Sequence, residues 1–228
     1  GMDVIVTDHH QPGEELPDCP VLHPSIDGYP FKSLCGTAVA WKLACALGGS
    51  PDADLDLVAL ATVADLVPLQ GESRSLVKRG LEELRRARRP GMRALIEAAK
   101  CEPTQVDEGD LGFKLAPRIN AAGRLYRADA GVELFLTDDV RRAEEIAVEL
   151  SRANGERRAM EREVDAAAEA AIRALPEELR EARGIVVAGE GWHPGVIGIV
   201  ASRLVERHRR PVVAISLDGE GKGRGSGR

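Results

Sequence analysis

A chain of 228 residues, 43% of them hydrophobic, can bury a substantial core, and its length suits one large or two modest domains. Its formal net charge of −6 excludes a protein that holds nucleic acid through global positive charge, so any such grip must be local. An aromatic fraction of 3% argues against a base-stacking platform, and no 18-residue apolar run or signal-peptide pattern marks a membrane span or export.

In chain order, residues 3–7 read as a strand. The run Val4-Ile5-Val6 suits a strand covered on both faces, and open α/β sheets place ligands at strand carboxyl ends. Asp8-His9-His10 follows directly, three polar residues with metal-ligand chemistry; a turn that happens to contain two histidines is the alternative. A loop with Pro12, Pro17, Pro20, Pro24 and Pro30 comes next. Helical patterns cover 34–47, 54–64, 73–88 and 91–100, with Gly48-Gly49 closing the first. Asp65 stands in the apolar stretch Leu60–Leu69. A carboxylate buried there must be paired, hydrogen-bonded or metal-bound, because burying it alone costs several kcal/mol or more. A helix N-cap is the other role open to it, but Pro68 makes the stretch resemble a helix end.

Residues 107–137 form a mixed connector. From 138 to 175 the chain is dense in Ala, Glu and Arg, predicting a helix of about 38 residues and about 57 Å. Its charges read most simply as a solvated face. Pro176 ends it. A small α/β unit then begins, with a strand at 184–188, a helix at 194–207 and a strand at 211–216. The run Gly221–Arg228 alternates glycine with donors. By itself it reads as a flexible tail. The four cysteines, Cys19, Cys35, Cys45 and Cys101, form no C-x-x-C pair and read as small buried hydrophobes in a reducing compartment. Cys19 and His23 lack a second pair of zinc ligands. The expected location is cytoplasmic. Arginine outnumbers lysine 25 to 6, which suits bidentate phosphate recognition, with genome composition as the alternative explanation.

Five blocks together carry a resemblance: Val4–His10, Ala61–Leu69, the Ala-Pro-Arg-Ile-Asn-Ala-Ala-Gly-Arg-Leu block Ala116–Leu125, Gly191–Ala201, and Gly223–Arg228. In this order they resemble the DHH phosphoesterase superfamily and, within it, the RecJ single-strand-specific exonucleases. The ten-residue block is the most specific; the DHH triplet is weak alone. The resemblance implies an α/β fold: residues 1–104 as the C-terminal half of a DHH phosphoesterase domain, mostly helical. Residues 105–183 would form a connector with the long helix, and 184–228 the start of a smaller α/β DHH-associated substrate-binding domain. It also implies aspartate motifs ahead of DHH that these residues do not include. The chain is accordingly expected to be an internal fragment lacking those motifs and the C-terminal part, binding metal weakly and inactive by itself.

The implied chemistry is metal-dependent phosphodiester hydrolysis, 5′→3′ on single-stranded DNA, in repair and recombination. Two divalent ions about 3.5–4 Å apart would neutralise charge and activate water, and imidazole with carboxylate suits Mn²⁺, a pure oxygen set Mg²⁺. Carried over, His9 and Asp65 are metal ligands and Asp8 a ligand or orienting group, while His10 contacts phosphate or orders the site. Arg118, Asn120 and Arg124 make a phosphate clamp, for which a structural salt-bridge cluster is the alternative. His193, Arg224, Ser226 and Arg228 are further substrate contacts, the glycines between the last three letting backbone N–H groups approach phosphate. Leu150, Asn154 and Arg157 also match the pattern, and packing explains them equally well. The expected partner is single-stranded DNA, with single-strand-binding protein or a helicase reached through the full protein. A DHH phosphoesterase acting on short oligonucleotides or cyclic dinucleotides, and a non-catalytic nucleic-acid-binding scaffold of the same fold, are the alternatives. The long Ala116–Leu125 block disfavours the first, and intact Asp8, His9, His10 and Asp65 disfavour the second.

Overall fold

The structure, a computed structural model, describes residues 1–26, 28–125 and 128–228. Asp27 in the proline loop and Tyr126-Arg127 in the connector lie outside the described residues. The chain divides into two compact units: Gly1–Ile119 with Ala130–Val148, and Asn120–Asp129 with Glu149–Arg228.

The first unit opens with two short parallel strands, β1 (Val6–Thr7) and β2 (Val21–Leu22), paired Val6 to Val21 and Thr7 to Leu22. The expected buried strand over 3–7 is reduced to these two residues, and Val4 and Ile5 are exposed. A two-stranded sheet gives β1 one neighbour only, so the apolar run that suits a central strand stands at an edge. Four helices follow close to their predicted spans: α1 (Gly36–Ala46), α2 (Leu55–Ala64), α3 (Gly71–Arg86) and α4 (Pro90–Ala98). Helix α1 stops as Gly48 turns left-handed at φ 96°, its N–H bonding the Cys45 carbonyl while Gly49 bonds Ala44.

Helix α2 is apolar nearly all round because it is the centre of the unit, burying Leu55, Val58, Ala59, Leu60 and Thr62. Helix α3 crosses it at Gly80, where an added Cβ would come within 2.2 Å of the Leu55 carbonyl oxygen. Leu34, Cys35, Ala38 and Val39 join Leu55, Val58 and Leu76 in one cluster. Cys35 is buried as expected; Cys19, Cys45 and Cys101 are half-buried, contrary to expectation, because each lies at an element end or in a loop.

The connector is helical rather than mixed. Helix α5 (Glu108–Asp110) runs through a π-helical segment, Leu111–Leu115, into α6 (Ala116–Leu125), and α7 (Asp129–Leu136) follows. Asp107 and Asp110 start this run with a reciprocal capping box. The predicted long helix is α8 (Val140–Ala174), 35 residues, contributing to both units. Helix α9 (Glu177–Arg180) is a single turn after Pro176.

In the second unit β3 (Ile185–Glu190) and β4 (Val212–Leu217) are parallel and joined through α10 (Ile197–His208), while β5 (Gly223–Gly227) pairs antiparallel with β4. Strand alternation decides the burial: Ile185, Val187, Val212 and Ala214 face α10 and α8, whereas Val186 and Val213 face outward. The 223–227 segment is thus a paired strand and not a flexible tail. Nor is the charge of α8 simply a solvated face. Glu161 binds Arg203, Asp165 and Glu169 bind Arg207, and Glu169 also meets His208 at 2.9 Å, a ladder of ion pairs joining α8 to α10. No helix among the described residues is long and apolar enough to cross a membrane.

Candidate metal centre and anion-binding face

In the first unit the carboxyl end of β1 delivers Asp8. Its N–H bonds the Leu22 carbonyl of β2 at 3.2 Å, so the sheet itself aims the residues that follow. The Asp8 Oδ1 atom accepts from the backbone of His9 (2.7 Å), the backbone of His10 (3.2 Å) and His10 Nδ1 (2.7 Å). The His10 ring bond, followed by the two backbone bonds, holds the Asp8 carboxyl down at about 2. An ionised carboxylate only accepts, so His10 Nδ1 carries the hydrogen, and in the neutral ring the lone pair is on Nε2. Because Oδ1 is saturated in this way, Oδ2 is the Asp8 oxygen outside these bonds.

His9 is four-fifths buried and bridges to Asp65, its Nδ1 3.4 Å from Asp65 Oδ2. Asp65 is the residue that ends α2, with φ −86° and ψ 1°. It is exposed, contrary to the expectation of a buried carboxylate: the apolar face of α2 stops one turn earlier, and only the chain pattern continues through it. Leu66 next to it adopts the left-handed conformation at φ 56°, closing the helix by bonds from Leu66 N–H to Val63 and Val67 N–H to Thr62.

Two residues that sequence reasoning did not place at this site complete the arrangement. An added Cβ on Gly36, at the start of α1, would lie 3.1 Å from His9 Cδ2, so the glycine leaves room for the imidazole. His23 is buried, accepts the Ser25 N–H at Nδ1 (3.0 Å), and therefore donates from Nε2 to the His10 carbonyl at 2.7 Å. The only signals were a glycine at a helix start and a histidine amid prolines, and neither points to a partner.

The donor set fits a divalent cation. Asp8, His9 and His10 each offer a ligand atom, all within 4.8 Å of one another, and Asp65 adds a carboxylate through His9.

Arg118 donates to the carbonyls of Lys114 (2.6 Å) and Ala98 (3.3 Å). Asn120 and Arg124, four residues apart on α6, share a face and belong to the second unit. Arg124 reaches the Gly195 carbonyl at 3.4 Å. His193 accepts the Gly195 N–H at Nδ1, 3.0 Å, which folds the turn that leads into α10. The alternation of 223–228 is a strand alternation. Gly223, Gly225 and Gly227 face Ile215 and Val213, and the opposite face carries Arg224, Ser226 and Arg228. Strand β5 is the outer strand of its sheet and pairs with β4 on one side only. Gly198, in the first turn of α10, has room only for hydrogen: a Cβ would lie 3.1 Å from Ser226 Oγ and 3.3 Å from an Arg228 guanidinium nitrogen. So α10, Ser226, Arg228, and the His193 turn with Arg124 form one basic and polar face within the second unit. Behind it Arg157 bonds Asn154 Oδ1 and the buried Glu161 (2.6 Å). Burial lowers the Arg157 pKa and Glu161 opposes this, while Arg124, Arg158 and Arg203 push it further down.

No family model matches the chain. It is 47% identical over its whole length to the single-stranded-DNA-specific exonuclease RecJ of Bacillus subtilis (strain 168), covering 29% of that protein. It is 40% identical, over 98% of its length and 32% of the relative, to the RecJ of Thermus thermophilus. Among solved structures, the Thermus thermophilus RecJ in complex with Mn²⁺ superposes with a TM-score of 0.81 at 40% identity, over 98% of this chain and 33% of that one. An exonuclease RecJ bound to manganese gives 0.81 at 38% identity, over 94% of this chain and 55% of that one. The chain therefore spans about a third of the length of these two curated relatives. Matched from end to end in sequence and in fold, the chain is similar over its whole length to part of these RecJ exonucleases.

Proposed function

We propose that this chain carries part of the catalytic centre and a substrate-gripping face of a cytoplasmic RecJ-type nuclease, a metal-dependent phosphodiesterase that degrades single-stranded DNA 5′→3′ in repair and recombination. The observation that carries the reading is the meeting of two distant motifs, His9 from the end of β1 and Asp65 from the end of α2, beside the Asp8–His10 pair. Support comes from relatives named as single-stranded-DNA-specific exonucleases and from neighbours that hold Mn²⁺ or Mg²⁺.

Bound Mn²⁺ or Mg²⁺ supplies charge neutralisation on the phosphoryl oxygens and lowers the pKa of water. His9, Asp65 and the Oδ2 of Asp8 would hold it. Asp8 Oδ1 keeps the His9 and His10 backbone in one turn, and Gly36 and Asp65 fix the His9 ring between them. His10, exposed and tied at Nδ1 to Asp8, presents Nε2 outward, where it would take a proton from the water that attacks a phosphodiester. Arg118, Asn120, Arg124, His193, Arg224, Ser226 and Arg228 bind phosphates of the strand.

In a chain of the relatives' length, His9→Ala and Asp65→Ala are expected to lower Mn²⁺-dependent digestion of 5′-phosphorylated single-stranded DNA by about 10³-fold while leaving circular dichroism unchanged. Digestion confined to dinucleotides would replace the substrate, and undiminished digestion by either variant would remove the metal roles. The ligands gathered among the described residues are too few for two ions. These 228 residues alone are therefore expected to bind Mn²⁺ weakly by calorimetry and to leave the strand uncut.

A further inference from the structure

Phe113 is 87% exposed, although Leu111 and Leu115 on the same π-helical segment are completely buried. An aromatic in solvent is notable in a chain with two Trp, two Tyr and three Phe. The segment is anchored on α2: a Cβ added at Gly112 would make contact with Val63 Cγ1 at 3.4 Å, two residues before Asp65. On the α2 side Leu66, adjacent to Asp65, is 88% exposed and held left-handed. Two large apolar side chains thus stand in water on the two segments that pack together next to the candidate metal centre. π-Helical turns interrupt the regular helix and recur at functional sites, and this one sets Phe113 outward on a rigid, buried footing.

Gly112 and Lys114 flank Phe113, and Lys114 is half exposed and paired with Asp110 at 2.6 Å. A protein partner would need a contiguous apolar surface. A single flat ring beside a phosphodiester-cleaving centre matches a nucleobase, whose face stacks whatever its identity. The net charge of −6 makes such an uncharged contact the more useful, since global attraction is missing.

We propose that Phe113 is a stacking platform for a base of the strand whose phosphodiester reaches the His9–Asp65 centre; this rests on the single-stranded nucleic-acid reading above. It runs against the expectation, drawn from the low aromatic content, that this segment carries no base-stacking platform.

The test is fluorescence anisotropy without divalent metal, using a 5′-phosphorylated oligothymidylate and the same strand with abasic sites in place of the bases. The wild-type chain is expected to bind the base-bearing strand about tenfold tighter, Phe113→Ala to bind both about equally, and Phe113→Tyr to restore the preference. Phe113→Ala retaining the full preference would overturn the stacking role while leaving strand binding intact. Failure of the wild-type chain to bind either strand would instead overturn the nucleic-acid reading on which the proposal stands.

Discussion

Gly36 shows how little room the candidate centre leaves. Its missing side chain admits the His9 ring, and a methyl group 3.1 Å from His9 Cδ2 would push that ring by a few tenths of an ångström. Helix propensity favours alanine over glycine by up to about 1 kcal/mol, so Gly36→Ala is expected to leave thermal stability unchanged or slightly raised. Misplacing a ligand is expected to weaken Mn²⁺ binding about tenfold, the usual scale for a disturbed supporting group. A spin-resonance titration of Mn²⁺ reads this directly, and unaltered affinity would show that the ring position does not matter. His23 acts on the same loop from the other side, since its donor to the His10 carbonyl fixes the backbone between the two histidines.

At the scale of elements, close approach outweighs propensity. Gly91 in α4 lies against α7, where a Cβ would come within 1.8 Å of the Leu134 carbonyl oxygen. Alanine would gain about 1 kcal/mol as a helix former yet force the helices apart, so Gly91→Ala is expected to destabilise by about 3 kcal/mol in urea unfolding. The α8–α10 ladder gives a pH signature. Burial raises the Glu169 carboxyl, but hydrogen bonds from Arg207 and His208 outweigh this and hold it below its ordinary 4.5. A lowered carboxylate stabilises the fold above its unfolded value, and this is lost as pH falls through the folded one. Wild type is therefore expected to exceed Glu169→Gln in stability at pH 7 by under about 1 kcal/mol, since Arg207 is half exposed, with the gap closing below pH 4.5. A gap that persists in acid would mean the side chain acts through packing alone. The helices themselves were legible in the chain, because glycine stops and apolar periodicity are local signals. The burial of their faces was less so: α2 reads as apolar through Asp65, and only packing shows where its covered face ends.

For the whole molecule the decisive quantity is charge. At −6 overall, any strand this chain binds would be held by focused arginines, and the second unit gathers Arg124 and Arg228 with Ser226 around the start of α10. Each phosphate neutralised on a single strand contributes about −0.7 to the slope of log affinity against log salt. Arg124→Gln is thus expected to make that slope shallower by about 0.7, whereas Arg86→Gln, whose guanidinium is tied to Glu83, should leave it unchanged. Equal slopes for all three proteins would remove Arg124 from the phosphate contacts.

Local order along the chain was enough to determine α1 to α4, the long α8 and the β3–α10–β4 unit, and it named the residue types of the candidate metal centre. Each depends on periodicity, caps or motif chemistry within a few residues. Tertiary structure alone decided that His9 meets Asp65, that Gly36 and His23 hold the histidine loop, and that 223–227 is a strand displaying Ser226 and Arg228 on one face. It also decided that Val4 and Ile5 lie in solvent while Phe113 is set outward. These facts join residues far apart in the chain, and whether such residues touch depends on how helices and strands pack, which no local pattern encodes.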